Sequence, residues 1–175
     1  MVSAATEKKG FTLVELIIVI IILGILAALA IPQFMTSTAD AKESTLKGDL
    51  AVLRNAINLY YHEHDNTYPG AKKEDGSGDD TLAADNPAAF LNQMTQYTDK
   101  TGKTSASRDA ANYPYGPYLT AMPDNPLAAT GADADGVSVT DDAARLAVTA
   151  SPTTGWKYSK ATGQIIADVA AYVTY

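Results

Sequence analysis

Gly10–Phe34 reads GFTLVELIIVIIILGILAALAIPQF and holds a single charged side chain, Glu15; the next charge is Asp40. Between them, Leu16–Ile31 is 16 consecutive residues without a polar side chain. About 20 residues of α-helix cross the hydrocarbon core of a bilayer, so this run is long enough to span. Lys8 and Lys9 stand just before it. The positive-inside rule therefore puts the N-terminus in the cytoplasm and the bulk of the chain outside it. A secretory signal peptide has its apolar core before a small-residue cleavage site. Here the break in composition, at Gly10, comes before the apolar core. One reading is an uncleaved signal anchor; the other is a leader removed ahead of the run.

Glu15 separates these readings. A carboxylate at membrane depth costs about 2.5–3.5 kcal/mol on insertion scales. Glu15 either snorkels to the interface from one turn into the run or meets a cation inside the apolar layer. The run itself supplies no such cation, which leaves another chain or a new amine at the start of the helix. Gly24 and Pro32 are ordinary membrane-helix residues in one reading. In the other they are points of kinking or local melting, since glycine lowers helix stability by about 1 kcal/mol relative to alanine and proline removes a backbone donor.

The helical pattern resumes beyond Pro32. Leu46, Leu50, Leu53, Ile57, Tyr60 and His64 step by 4, 3, 4, 3 and 4, an amphipathic stripe. Glu43 and Lys47 lie off it at i,i+4 pairing distance. One helix is expected from about Thr12 to about His64, ended by Asn66-Thr67-Tyr68-Pro69-Gly70. After the polar loop AKKEDGSGDD, Asn86 as N-cap and Pro87 as first helical residue predict a second helix over Ala88–Tyr97. Its buried face is Phe90, Leu91, Met94 and Tyr97. TDKTGKTSASRDA reads as an exposed loop. Tyr113–Ala129 has four prolines and is expected to be packed but irregular. GADADG reads as a turn, and Val137–Val139 and Leu146–Thr149 as short strands. Gly155–Ser159 and Gln164–Asp168 predict a β-hairpin around Lys160–Gly163, with Gly163 left-handed.

The expected fold is thus α+β: a long N-terminal helix, half membrane-embedded and half amphipathic, on a small domain with a short second helix and a C-terminal antiparallel hairpin. The expected divisions are a leader (1–10), the membrane or assembly half of the helix (11–39), its amphipathic half (40–64) and a globular head (65–175). Net charge is −7, which argues against a nucleic-acid surface. No cysteine is present, so disulfides, thiolate catalysis and cysteine metal sites are out.

No nucleophile–base set, phosphate loop or nucleophile elbow is recognisable, so an enzyme is not expected. His62 and His64 lie too far apart around a helix to share a metal and read as exposed helix-end residues. Asp133, Asp135, Asp141 and Asp142 on a glycine-bearing loop are of the oxygen-ligand type calcium takes, though the spacing is not that of an EF-hand. The other reading is a solvated acidic loop. Calcium is the one candidate cofactor, and none is required.

The run, with Lys-Lys-Gly before Phe11, Glu15 four residues on and Pro32 near its end, resembles the N-terminal signature of type IV pilin-like proteins (the class III signal). The resemblance is close over about 30 residues. It implies cleavage after Gly10 by a prepilin peptidase and N-methylation of Phe11. It also implies pairing of Glu15 with the N-terminal amine of Phe11 in a neighbouring subunit, the cation that Glu15 lacks in its own chain. LAVLRNAINLYYHEHDNTYPG and GPYLTAMPDNP resemble the major pseudopilin of type II secretion systems. GWKYSKATGQI resembles a hairpin common in related proteins. The acidic loop does not match the pseudopilin calcium site residue by residue. An ordinary major pilin of the disulfide-stapled kind is disfavoured by the missing cysteines.

The expectation is therefore a structural subunit of a type II secretion pseudopilus. It would sit as a single-pass inner-membrane protein with a periplasmic C-terminal domain, then pass into a periplasmic or surface filament. Its partners would be the bilayer, the prepilin peptidase, an inner-membrane assembly platform and other copies of itself. The alternative is a major or minor type IV pilin serving adhesion, motility or DNA uptake. A membrane-anchored binding domain that never polymerises is the reading from a different class.

Overall fold

A computed structural model of the chain describes residues 12–78 and 87–169. The expected cleavage site, Gly10 and Phe11, and the expected N-cap Asn86 lie outside the described residues. The chain divides into two compact units, Met1–Ala41 and Lys42–Tyr175.

A single helix, α1, covers Leu13–Glu63. Gly24 and Pro32 both lie inside it, so neither ends it and no local melt interrupts it. In the second unit, Leu46, Leu50, Leu53, Ile57 and Tyr60 are all buried, at 0–2 % exposure, as the 4-3-4-3 spacing predicts; His64, next on the stripe, is buried too, against the exposure expected of a helix-end histidine. The Glu43–Lys47 pair forms at 2.7 Å. Being solvent-exposed, it adds a few tenths of a kcal/mol at most. The chain leaves α1 through Asp65 and Asn66 at φ 52° and 59°, a left-handed exit that Asn and Asp tolerate better than other non-glycine residues.

The second helix, α2, spans Ala88–Thr95. Phe90 and Met94 are fully buried, while Leu91 packs at the edge of the core. Tyr97 is not helical. It begins β1 (Tyr97–Thr98), which pairs antiparallel with β2 (Thr104–Ser105). The stretch expected to be a plain loop is therefore a tight hairpin. Asp99 holds its turn by accepting from the Thr101 and Lys103 amides, an Asx-type turn. Gln93, completely buried, ties three segments together. Its Oε1 accepts from the Gly70 amide, and its Nε2 donates to the carbonyls of Lys72 and Gly102.

Three strands form the second sheet: β3 (Asp133–Thr140), β4 (Thr154–Ser159) and β5 (Ile165–Ala167), in the order β3-β4-β5. The predicted hairpin is β4–β5, with Trp156 opposite Ala167 and Tyr158 opposite Ile165. Gly163 in its loop has φ 71°. The sheet is mixed, because β3 runs parallel to β4. β3 also starts earlier than expected: Asp133–Gly136, read as turn, is strand, with a register shift between Asp133 and Val137.

Leu146–Thr149 is not a strand. Side chains serve its backbone instead: the Leu146 amide donates to Gln164 Oε1 and the Thr149 amide to buried Asp168. The proline-rich segment contains no strand or helix, as expected, and lodges Leu119 in the core.

β3 and β4 meet so closely at Gly155 that a Cβ there would lie 2.0 Å from the Ala134 carbonyl oxygen. That neighbour is backbone and cannot rotate away. Gly155→Ala is therefore expected to lower stability by about 3 kcal/mol, the upper part of the usual overpacking range. Urea melts of the detergent-held chain read this out, and an unchanged midpoint would refute the close approach.

Candidate functional site

The functional candidate is the start of α1, where a charge sits at the mouth of an apolar helix. Leu13–Ile31 is 19 residues of mean hydropathy 3.1, with none of that span buried in the chain's own fold. Leu13, Leu16, Ile20, Leu26 and Leu29 are 58–73 % exposed. A soluble protein does not leave so much contiguous apolar surface uncovered; lipid or other protein must cover it.

Thr12 and Glu15 close the helix end reciprocally. The Thr12 amide donates to Glu15 Oε2 at 2.8 Å and its hydroxyl to the same oxygen at 2.9 Å; the Glu15 amide donates back to Thr12 Oγ1 at 3.2 Å. This is the capping box, which satisfies amides that the first turn leaves without helical partners. Thr12 is the residue that sequence reasoning passed over. Its signal was present as T-x-x-E ahead of an apolar run. Glu15 thus has a local structural role, and both Thr12 contacts use one carboxylate oxygen.

The four acidic candidates do not converge. Asp133 and Asp135 open β3, whereas Asp141 and Asp142 follow its end, roughly 20–30 Å away at strand rise. Among the described residues no group of three or more His, Asp or Glu side chains is placed to hold a metal ion. These four carboxylates therefore do not fit one calcium site. Asp133 and Asp135 do meet each other, beside an open cavity of about 400 Å³ that Leu91 and Met122 also line. The hydrogen bond and charge of Asp135 push the Asp133 carboxyl above the usual range, and Asp124 adds to this.

Of the two histidines, His62 is exposed as expected and His64 is buried. His64 stacks on Tyr60 with ring centroids 3.7 Å apart. Its Nδ1 lies 2.8 Å from the Tyr60 carbonyl and its Nε2 3.0 Å from Thr98 Oγ1. A carbonyl can only accept, so Nδ1 carries the proton and Nε2 accepts from the threonine. Burial lowers the His64 pKa below 6.5, against smaller opposing effects of the Tyr60 carbonyl, Glu63 and Asp99.

The sign of the resulting pH dependence follows from that direction. Below about pH 6.5 the unfolded chain takes up a proton that the folded chain refuses. Stability should be level in this respect above about pH 6.5 and fall as pH drops through that value toward the folded pKa. Denaturant melts at stepped pH, wild type against His64→Gln, isolate the effect. Parallel curves for the two proteins would show that His64 is not its source.

Residues 6–31 match the family model described as the prokaryotic N-terminal methylation motif. The chain is similar to the type II secretion system core protein G of Pseudomonas aeruginosa, 44% identical over 54 residues, which are 31% of this chain and 38% of that one. It is 29% identical to the core protein G of Klebsiella pneumoniae over 120 residues, 69% of each chain. The type IV major pilin protein PilA of Myxococcus xanthus is 47% identical over 59 residues, 34% of this chain and 27% of that one. The chain thus spans well under half the length of the Pseudomonas and Myxococcus relatives. No solved structure matches it significantly.

Proposed function

We propose that this chain, a type IV pilin-like protein close to the major pseudopilins, is a structural subunit of the pseudopilus of a type II secretion system. The observation that carries the reading is Glu15: the one charge in a 19-residue apolar span that its own fold leaves uncovered. Anchoring alone gives that carboxylate no role beyond the helix cap with Thr12. Assembly does, because a cut after Gly10 would create an amine on Phe11 that a neighbouring copy's Glu15 could pair with.

In this reading the protein waits in the inner membrane with residues 1–10 on the cytoplasmic side and its head in the periplasm. A prepilin peptidase removes the leader and Phe11 is N-methylated. An inner-membrane assembly platform then moves subunits from lipid into a helical filament. Their apolar helices exchange acyl chains for one another. The role is mechanical rather than catalytic.

Likeness to the Myxococcus pilin supports a second reading, a surface type IV pilus. The test is electron microscopy of filaments from processed, purified protein, joined to immunolabelling of intact cells. Filaments confined to the periplasm fit the pseudopilus, and surface filaments fit the pilus. Processed protein that stays monomeric in the membrane under every assembly condition would reject both and leave a plain anchored domain.

A further inference from the structure

The last turn of α1, the loop after it and the β1–β2 turn line a cavity of about 410 Å³. Its lining includes Tyr60, Asp65, Thr67, Lys72, Lys100 and Thr101. The volume is at the small end of the range for small-molecule sites. Tyr60 is 1 % exposed. Its hydroxyl reaches the β1–β2 turn, where a Cβ built on Gly102 would stand 2.8 Å from it. Among the described residues, every side-chain polar atom shut off from solvent has a hydrogen-bond partner. The Tyr60 hydroxyl has none among them, so it is reached from the cavity. The hydroxyl of half-buried Thr67 likewise has no partner among the described residues, although its amide donates to the His64 carbonyl. Two hydroxyls without partners thus line one cavity.

The charges around the cavity are answered within the chain. Lys100 pairs with Asp65 at 3.0 Å. The Asp99 carboxylate accepts from the Thr101 and Lys103 amides and the Thr101 hydroxyl. Lys72 is engaged as well. An ion entering here would give up water without meeting an unopposed charge. Uncharged groups are what the cavity offers, and a hydroxyl both donates and accepts. Burial, and to a lesser extent the charge of Asp99, push the Tyr60 hydroxyl's pKa up, so it keeps its proton. The paired Asp65 carboxylate still has lone pairs with which to accept. This lining suits a neutral ligand that itself presents hydroxyls.

We infer that this cavity binds one neutral sugar ring, either a free monosaccharide or the end residue of a glycan. The buried Tyr60 hydroxyl and the Thr67 hydroxyl bond the sugar's hydroxyls, and the exposed Lys100–Asp65 pair borders the site. The site lies wholly within the second unit and does not depend on how the chain assembles.

The test titrates the full chain, held in a detergent without a sugar headgroup, with glucose, galactose and N-acetylglucosamine. Glucuronate is the charged counterpart. Each neutral sugar is tried free and as the end residue of a disaccharide, and tighter binding of the second form identifies a glycan end. Amide NMR shifts of Thr67, Gly76 and Thr101 report occupancy. Expected is saturable binding of at least one neutral sugar, tighter than that of glucuronate. Tyr60→Phe should weaken it by about 10-fold, the loss of one good hydrogen bond. Its urea midpoint should stay at the wild-type value, because the hydroxyl bonds nothing in the fold. Thr67→Val should weaken binding similarly and keeps the test open if the Tyr60 variant fails to fold. No shift with any neutral sugar, glucuronate binding as tightly, or wild-type affinity in the variants would overturn the site. A lowered midpoint in folded Tyr60→Phe would also overturn it, by showing that the hydroxyl has a partner within the fold.

Discussion

Gly10→Val is expected to leave the whole chain as uncut precursor and to remove filaments altogether. A peptidase cutting after Gly10 must admit the backbone on both sides of the bond. Glycine has no Cβ to obstruct that approach and tolerates conformations a β-branched residue resists. The apolar run is untouched, so the precursor should still insert in the membrane at the normal level. The readout is a gel shift of ten residues together with N-terminal sequencing. Wild type should begin at methylated Phe11 and the variant at its original N-terminus. A mature-sized Gly10→Val band starting at Phe11 would mean the glycine has no part in cleavage. Wild type retaining residues 1–10 would return the run to a plain signal anchor.

Glu15→Leu is the sharper experiment, because two physical pictures give opposite signs. If apolar burial alone drove assembly, replacing a carboxylate by leucine would help. It removes an insertion cost of about 2.5–3.5 kcal/mol and adds apolar surface. If Glu15 pairs with the Phe11 amine of a neighbour, the substitution strands that amine in an apolar layer. Breaking one partner of a buried ion pair costs about 3–5 kcal/mol, a hundredfold or more in each association step. Filaments should then vanish while leader removal and membrane insertion persist.

Two further variants separate pairing from capping. Glu15→Gln keeps a side chain that serves in a capping box but carries no charge, and it should fail like leucine. Thr12→Val removes the cap at a cost of about 1 kcal/mol and should only weaken assembly. Abundant filaments from Glu15→Gln would mean that Glu15 acts through the helix cap seen with Thr12 and not through an intersubunit pair.

The capping box bears on how a membrane tolerates Glu15 before assembly. Its carboxylate is already hydrogen-bonded by the Thr12 amide and hydroxyl. That lessens the cost of holding it near the apolar layer, since a charge with local donors is less exposed to loss of water. Both of those contacts fall on Oε2, and a neighbour's amine would meet the other oxygen. A local cap and an intermolecular pair can therefore coexist.

Helical periodicity was legible because it is a local property. Residues three and four apart share a face whatever surrounds them, so Leu46, Leu50, Leu53, Ile57 and Tyr60 could be placed in the core before the core was known. The β4–β5 hairpin was legible for a like reason: four loop residues and a left-handed glycine fix its register. The uncovered apolar span followed from length and hydropathy alone, and Glu15 from being the wrong residue type inside it.

What the tertiary structure decided was everything that joins residues distant in sequence. The parallel pairing of β3 with β4 bridges the 141–153 connection and leaves no short-range signal. It drew Asp133 and Asp135 into a strand and so parted them from Asp141 and Asp142. Leu146–Thr149 had a strand's composition, but Gln164 and Asp168 had already claimed its amides. His64 stood at a helix end, where exposure is the rule, until Thr98 and the Tyr60 carbonyl supplied the two partners that let it be buried. Sequence alone determined where this chain must meet lipid or other protein, because that demand is set by hydrophobicity along one helix. Only the fold determined which polar groups could be buried, because each needs a partner brought from elsewhere in the chain.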